Sequence, residues 1–221
     1  MINKLSVLIP AYNEVKIGYL IMDKTIAIKL INNIEIESHQ ETRTKSFNQE
    51  INTGKGPAIR RAVELVTGDF LIVQDAYLEY EPEEFNYLLR PRINVFSDVV
   101  YGPRFIVGNP HRILFFWHCI GNKFLTKLSN MFLNLNLNDM ETCYELINSK
   151  IAKGLNLIEK RFGFEPEATS KLARFKSIRI SEVGVSYSGR TYGEGKKIGW
   201  KEGCRAIYCT MKYNIFSRKQ L

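Results

Sequence analysis

"GDFLIVQDAYLEY", residues 68–80, decides how this chain is read. Its "FLIV" run is short, apolar and bounded by polar residues, the pattern of a buried strand. The run ends in Asp75 and Glu79 with Tyr77 between them. Side chains two apart on an extended chain share a face. Carboxylates presented this way at a strand end can hold a divalent cation against a phosphate. The residues alone leave three readings open: a metal site with one ligand exchanged, a site that has lost its function, and a solvated turn before Pro82.

Working outward, "LSVLI" at 5–9 is a second buried run, closed by Pro10. Ile17, Leu20, Ile21, Ile28 and Ile31 recur at helical spacing and predict a helix over 15–31. Residues 32–56 are polar, with only a brief alternation, "IEIE". They are too long for a loop in a compact domain and hold at most a very short strand. "PAIRRAVELV", 57–66, predicts a helix with Pro57 in its first turn. Pro82 opens another over 82–90, and "SDVVYG", 97–102, predicts a third strand. This alternation predicts an α/β fold with a mostly parallel sheet flanked by helices. Ligands of such sheets bind beyond the carboxyl ends of the strands. "PAYNE" and "DAYLE" therefore face one crevice.

The character changes after residue 108. Residues 111–137 are rich in Phe, Leu and Ile, keep Arg112, Lys123 and Lys127, and include Trp117. They predict a pair of amphipathic helices broken at Gly121-Asn122. Such helices lie in a membrane interface or cover a sheet, and composition does not decide between the two. "METCYELI" (140–147) predicts a strand, 165–175 a helix and 177–187 a strand. A Gly-rich basic loop follows at 188–200, then a last amphipathic helix to about 213. Residues 1–221 read as a single domain, within the usual size range.

The net charge of +8 favours an anionic partner, such as a nucleotide, a phospholipid surface or nucleic acid, or else serves solubility alone. The basic residues do not interleave with aromatics as in RNA-binding motifs, so nucleic acid is not expected. Cys119, Cys143, Cys204 and Cys209 form no C-x-x-C pair, which fits a reduced, cytosolic setting. His39, His111 and His118 lack the neighbours of a zinc site. The first residues do not form a signal peptide, and no run reaches the ~20 apolar residues of a membrane span.

"NTGKGPA", 52–58, fails the phosphate-loop template, because it lacks the first glycine and the Ser/Thr after Lys55. It reads as a glycine turn before a helix whose N-terminus attracts anions, or as a plain loop and cap. Arg104, Arg112, Arg190, Lys196 and Lys197 fall in predicted loops or at helix ends. Together with an acidic metal corner they would describe a diphosphate site.

"SVLIPAYNE", "NTGKGPAIRRA", "GDFLIVQDAYLEY", "DVVYGPRF", "NDMETCYELI", "FGFEPEATSKLA" and "RTYGEGKKIGWKEG" occur in this order from Leu5 to about Gly203. In this the chain resembles family 2 glycosyltransferases of the GT-A fold, and within them the dolichol- or polyprenyl-phosphate mannosyltransferase-like branch. The resemblance implies transfer of a sugar from a nucleoside diphosphate sugar to a polyprenyl phosphate, with inversion and with Mg²⁺ or Mn²⁺. It implies that Pro10, Tyr12 and Glu14 hold the nucleoside, and that Asp75 and Ala76 begin an Asp-x-Asp motif for cation and diphosphate. Glu79 would be a further metal ligand. Arg104 would meet the phosphates, Asp139 would lie near the acceptor, and Arg190 and Lys196 would close over the donor. Residues 111–137 would bring the protein to the cytoplasmic face of a membrane as a peripheral enzyme, alone or with a membrane-anchoring subunit.

Two positions depart from the family's pattern. The aspartate-rich "DDGS" strand end expected before the N-x-G-K-G turn is missing, as if a segment were deleted and the sheet shortened. Tyr77 replaces the second aspartate of Asp-x-Asp, and a phenol with a pKa near ~10 is a poor ligand for Mg²⁺. These departures support an alternative: a catalytically degenerate or truncated relative that acts as a membrane-associated binding subunit.

Overall fold

The computed structural model describes residues 2–11, 15–36, 54–104, 106, 112, 115–161, 163–191 and 200–216. Tyr12, Glu14, His39, His111, Lys196, Lys197 and most of the polar stretch 32–56 lie outside them.

Six strands form one sheet among these residues: β1 (Lys4–Leu8), β2 (Glu35–Ile36), β3 (Phe70–Val73), β4 (Val99–Tyr101), β5 (Glu145–Asn148) and β6 (Ile180–Glu182). Their order is β2-β1-β3-β5-β4-β6. β5 runs antiparallel to β3 and β4, and the other pairings are parallel, so the sheet is mostly parallel as predicted. The carboxyl ends of β1, β3, β4 and β6 and the start of β5 therefore lie along one edge.

All four residues of β3 are buried. Leu71 and Val73 pack on one face with residues of α2 (Lys55–Leu65), α5 (Ser149–Gly154) and α6 (Phe164–Leu172). Phe70 and Ile72 pack on the other with Phe85, Leu88 and Leu89 of α3 (Phe85–Val95). Burial on both faces explains why the run is apolar throughout rather than alternating. α1 (Val15–Ala27) is shorter than the predicted 15–31, and its chain continues into a single 3-10 turn, Ile31–Asn33. "IEIE" supplies β2, a two-residue edge strand whose Glu35 and Ile36 pair with Lys4 and Leu5.

Three predictions are corrected. The break at Gly121-Asn122 does not occur: α4 (Phe116–Leu133) runs straight through it. A Cβ at Gly121 would meet nothing within 4 Å, so the glycine faces open space. An exposed helical glycine costs about 1 kcal/mol, which a long helix tolerates. "METCYELI" is not a strand until Glu145. Thr142 turns the backbone locally: its Oγ1 donates to Gly102 O (2.6 Å) and accepts from Tyr144 N (3.2 Å), a side-chain alternative to ladder pairing. Over 177–187 the strand itself is Ile180–Glu182, with a single bridge further on at Tyr187. Val183 and Val185 still donate to Tyr101 O and Pro103 O, so the chain follows β4 without ideal geometry.

Candidate active site

Asp75 follows β3 by two residues, at the carboxyl edge of the sheet. Lys55, the first residue of α2, reaches it: Nζ lies 3.1 Å from Asp75 Oδ1 and 3.2 Å from Glu165 Oε1, and donates to Cys143 Sγ at 3.2 Å. The glycines around Lys55 explain how it arrives there. Gly54 has φ +99°, a left-handed backbone that favours glycine. A Cβ at Gly56 would lie 2.1 Å from Glu159 O, so α2 starts pressed against the 159–160 backbone. Thus "GKG" is a close-approach device that drives a lysine inward, rather than a phosphate loop.

Burial opposes the charge on Lys55, but Asp75, with Cys143 and Glu165, outweighs it and holds the lysine pKa well above its ordinary value. Burial also opposes ionisation of Asp75, yet Lys55, Cys143 and Arg190 bring its pKa below the usual value. Both groups are therefore charged at neutral pH. Burial and then Asp75 push the Cys143 thiol well up, so it stays protonated.

Glu79 and Tyr77 face a second cation. The Glu79 carboxylate accepts from Arg190 Nε and from the Arg190 backbone N–H, both at 3.0 Å. The Arg190 guanidinium carbon lies 3.5 Å from the centroid of the Tyr77 ring. The structure thus pairs Asp75 with Lys55 and Glu79 with Arg190 at one corner.

Arg104 and Asp139 meet as a buried bidentate pair, with Nε–Oδ2 at 2.6 Å and Nη2–Oδ1 at 2.9 Å. Asp139 also accepts the backbone N–H of Glu141 at 3.2 Å. The Arg104 guanidinium lies 5.3 Å from the Tyr187 ring centroid. Below, Tyr80 stacks on Tyr144 at 4.5 Å, and Tyr144 Oη donates to the buried Gln74 Oε1 at 2.5 Å. This aromatic floor fixes the end of β3 against the start of β5. Ala76 is buried in the same corner, and Pro10 is half-buried just beyond β1.

Sequence reasoning assigned no role to Lys55, Cys143, Glu141, Glu145 or Glu165. Each lies inside a quoted motif, which was the available signal. Glu141 is the unusual one. Burial first, then Glu165, pushes its pKa up to about 8. Its Oε1 is buried with no hydrogen-bond partner among the described residues, as is that of Glu145.

Mg²⁺ and Mn²⁺ take oxygen ligands, and one or two carboxylates suffice when phosphates and waters complete the shell. Asp75 and Glu79 fit that smaller demand by type, while Tyr77 does not. The described residues include no group of three His, Cys, Asp or Glu side chains able to hold an ion unaided.

The fold is similar to crystal structures of glucosyl-3-phosphoglycerate synthase from Mycobacterium tuberculosis. The complex with Mn²⁺ and UDP-glucose gives a TM-score of 0.64 at 14% identity, over 96% of this chain and 79% of that one. The complex with Mn²⁺, UDP and phosphoglyceric acid gives 0.60 at 14% identity, over 97% and 79%. A third structure of that enzyme gives 0.62 at 14%, over 96% and 81%. At such identity the likeness is one of fold. The model of the family described as "Glycosyl transferase family 2" matches residues 29–155, more than half of the sequence. The chain belongs to glycosyl transferase family 2.

Proposed function

We propose that this chain transfers a sugar from a nucleoside diphosphate sugar to a polyprenyl phosphate of the dolichyl type, as a peripheral protein at the cytoplasmic face of a membrane. The carrying observation is the corner at the end of β3, where Lys55 and Arg190 stand with Asp75 and Glu79 at the carboxyl edge of a family 2 sheet. Ligands of such sheets sit at this edge. Pro10, Tyr12, Glu14, Ala76 and Lys196 are assigned to the same donor, on the family's motif order.

The chemistry is a displacement at the anomeric carbon. The acceptor phosphate is ionised at neutral pH, so no strong base is needed. The bond to the leaving diphosphate breaks as the bond to the acceptor oxygen forms. Lys55, Arg190 and Lys196 stabilise the charge that collects on the diphosphate. Arg104, held rigid by Asp139, orients the phosphates and bounds the acceptor side. A divalent cation bound by Asp75, Glu79 and the donor phosphates would add Lewis-acid stabilisation of that leaving group.

The acceptor half of the proposal rests on α4. Phe116, Trp117, Ile120, Phe124 and Met131 are all exposed, Trp117 at 77%. At 100° per residue they fall, with Lys123 and Lys127, within about a third of the helix circumference. An exposed aromatic stripe with basic residues and no acidic ones suits an anionic lipid interface. No helix among the described residues is long and apolar enough to cross a membrane.

Tyr77 favours a second reading, a degenerate relative that binds donor or lipid without turnover. The test is transfer of labelled sugar from UDP- and GDP-sugars to polyprenyl phosphate in anionic vesicles, with 3-phosphoglycerate as a soluble acceptor. Labelled lipid supports the proposal. Label on 3-phosphoglycerate alone overturns the acceptor, and donor binding without transfer favours the degenerate reading.

A further inference from the structure

Tyr77 stands where an Asp-x-Asp pair would have its second carboxylate, and its ring has a partner of its own. The Arg190 guanidinium carbon is 3.5 Å from the ring centroid, well within the range of face-on cation–aromatic contact. The same turn fastens the arginine twice more through Glu79, whose carboxylate takes Nε and the backbone N–H, each at 3.0 Å. The Glu79 carbonyl accepts the Ser188 N–H at 2.9 Å. One turn after β3 therefore holds the start of the basic loop from several sides. Asp75 and Lys55, 3.1 Å apart, close the other side of the corner.

The residue type at 77 decides what that arginine can do. An aspartate would add a third carboxylate to the Asp75–Glu79 edge, and its charge would cancel that of Arg190. A phenol is neutral at pH 7. Its ring lies against the guanidinium and, unlike a carboxylate, adds no negative charge beside the one that Glu79 already places on Arg190. A guanidinium has five N–H donors, and its hydrogen bonds match phosphate oxygens well.

We propose that Tyr77 is a positioning residue for the donor diphosphate. Its ring seats the Arg190 guanidinium at the end of β3, so that a fixed cation does there what a second carboxylate would do by holding a metal ion. The proposal rests on the donor-site reading above. It makes nucleoside diphosphate binding largely independent of divalent cation.

The test is calorimetric titration of UDP and GDP into the full chain and its Tyr77→Phe, Tyr77→Ala, Tyr77→Asp and Arg190→Ala variants, each in EDTA and in Mn²⁺. Circular dichroism verifies folding, and Tyr77→Leu substitutes for Tyr77→Ala if the latter does not fold. In EDTA, Tyr77→Ala and Arg190→Ala are each expected to weaken binding about fivefold to thirtyfold. A Tyr77→Ala/Arg190→Ala double variant should be no weaker than Arg190→Ala, because the ring acts through the arginine. Tyr77→Phe keeps the ring and should stay within about threefold of wild type. Tyr77→Asp should bind weakly in EDTA and recover in Mn²⁺, a readout that a merely structural ring would not move. Wild-type binding that requires Mn²⁺, or that Tyr77→Ala leaves unchanged, overturns the proposal and leaves the donor site standing. Failure of folded wild type to bind either nucleotide under both conditions overturns the donor site and the proposal together.

Discussion

Removing one partner of the Arg104–Asp139 pair should cost more stability than removing both. The two side chains are only 10% and 1% exposed, and they bond in parallel at 2.6 and 2.9 Å. Arg104→Met leaves the Asp139 carboxyl buried without this partner, and Asp139→Ala takes the carboxylate away from the buried guanidinium. Breaking a buried pair from one side costs about 3–5 kcal/mol. In a chain of this size that lowers the melting temperature by roughly 6–20 °C. Asp139→Ala also orphans the Glu141 N–H that Oδ1 accepts at 3.2 Å, so it should be the worse of the two. Arg104→Met combined with Asp139→Asn removes both charges and keeps an acceptor for that amide, so it should recover to within about 1–2 kcal/mol of wild type. Urea denaturation of wild type, Arg104→Met, Asp139→Asn and the double variant, followed by circular dichroism, measures the cycle, with Asp139→Ala read alongside. Single variants within about 1 kcal/mol of wild type, or a double variant that merely adds their losses, would show that the pair is hydrated and refute the reasoning.

Glu141, facing Glu165, Asp139, Arg104 and Lys55, has its folded-state pKa raised to about 8. The folded protein therefore holds a proton that the unfolded chain releases near ~4.3, and this group's contribution is lost as pH rises from there through about 8. Glu141→Gln should match wild type in acid and grow relatively more stable up to about pH 8, read from urea midpoints at successive pH values; parallel curves would contradict this. Gly56→Ala, whose Cβ would lie 2.1 Å from Glu159 O, should cost roughly 1–3 kcal/mol and weaken nucleotide binding by displacing Lys55. Trp117→Ala together with Phe116→Ala should reduce co-sedimentation with anionic vesicles by tenfold or more, at about 0.8 kcal/mol per buried CH₂ equivalent, without lowering the melting temperature; unchanged sedimentation would leave α4 as an ordinary exposed helix.

The central strands were legible because burial on both faces leaves a run such as Phe70–Val73 wholly apolar, a signal local to four residues. Their common edge followed from strand–helix alternation. What stayed hidden depends on contacts distant in sequence. Arg104 and Asp139 are 35 residues apart, and nothing local marks them as partners. Lys55 lies 110 residues from Glu165, and its entry into the site depends on backbone at Glu159 that only the folded chain brings near. Tyr77 was legible as a departure but not as a seat for Arg190, because their contact joins the β3 turn to a loop more than a hundred residues later. Gly121 misled in the opposite way: a breaker by type, it sits in open space where a helix passes freely.

A donor site at the end of β3 must bind a nucleotide. Calorimetric titration of UDP, GDP and their sugar conjugates in Mn²⁺ into folded wild type, Asp75→Asn and Lys55→Met tests it most directly. Saturable binding of one nucleotide class by wild type and its loss in Lys55→Met is expected, with Asp75→Asn reporting how much Mn²⁺ adds. Absence of binding by wild type, or binding that Lys55→Met leaves unchanged, would contradict it.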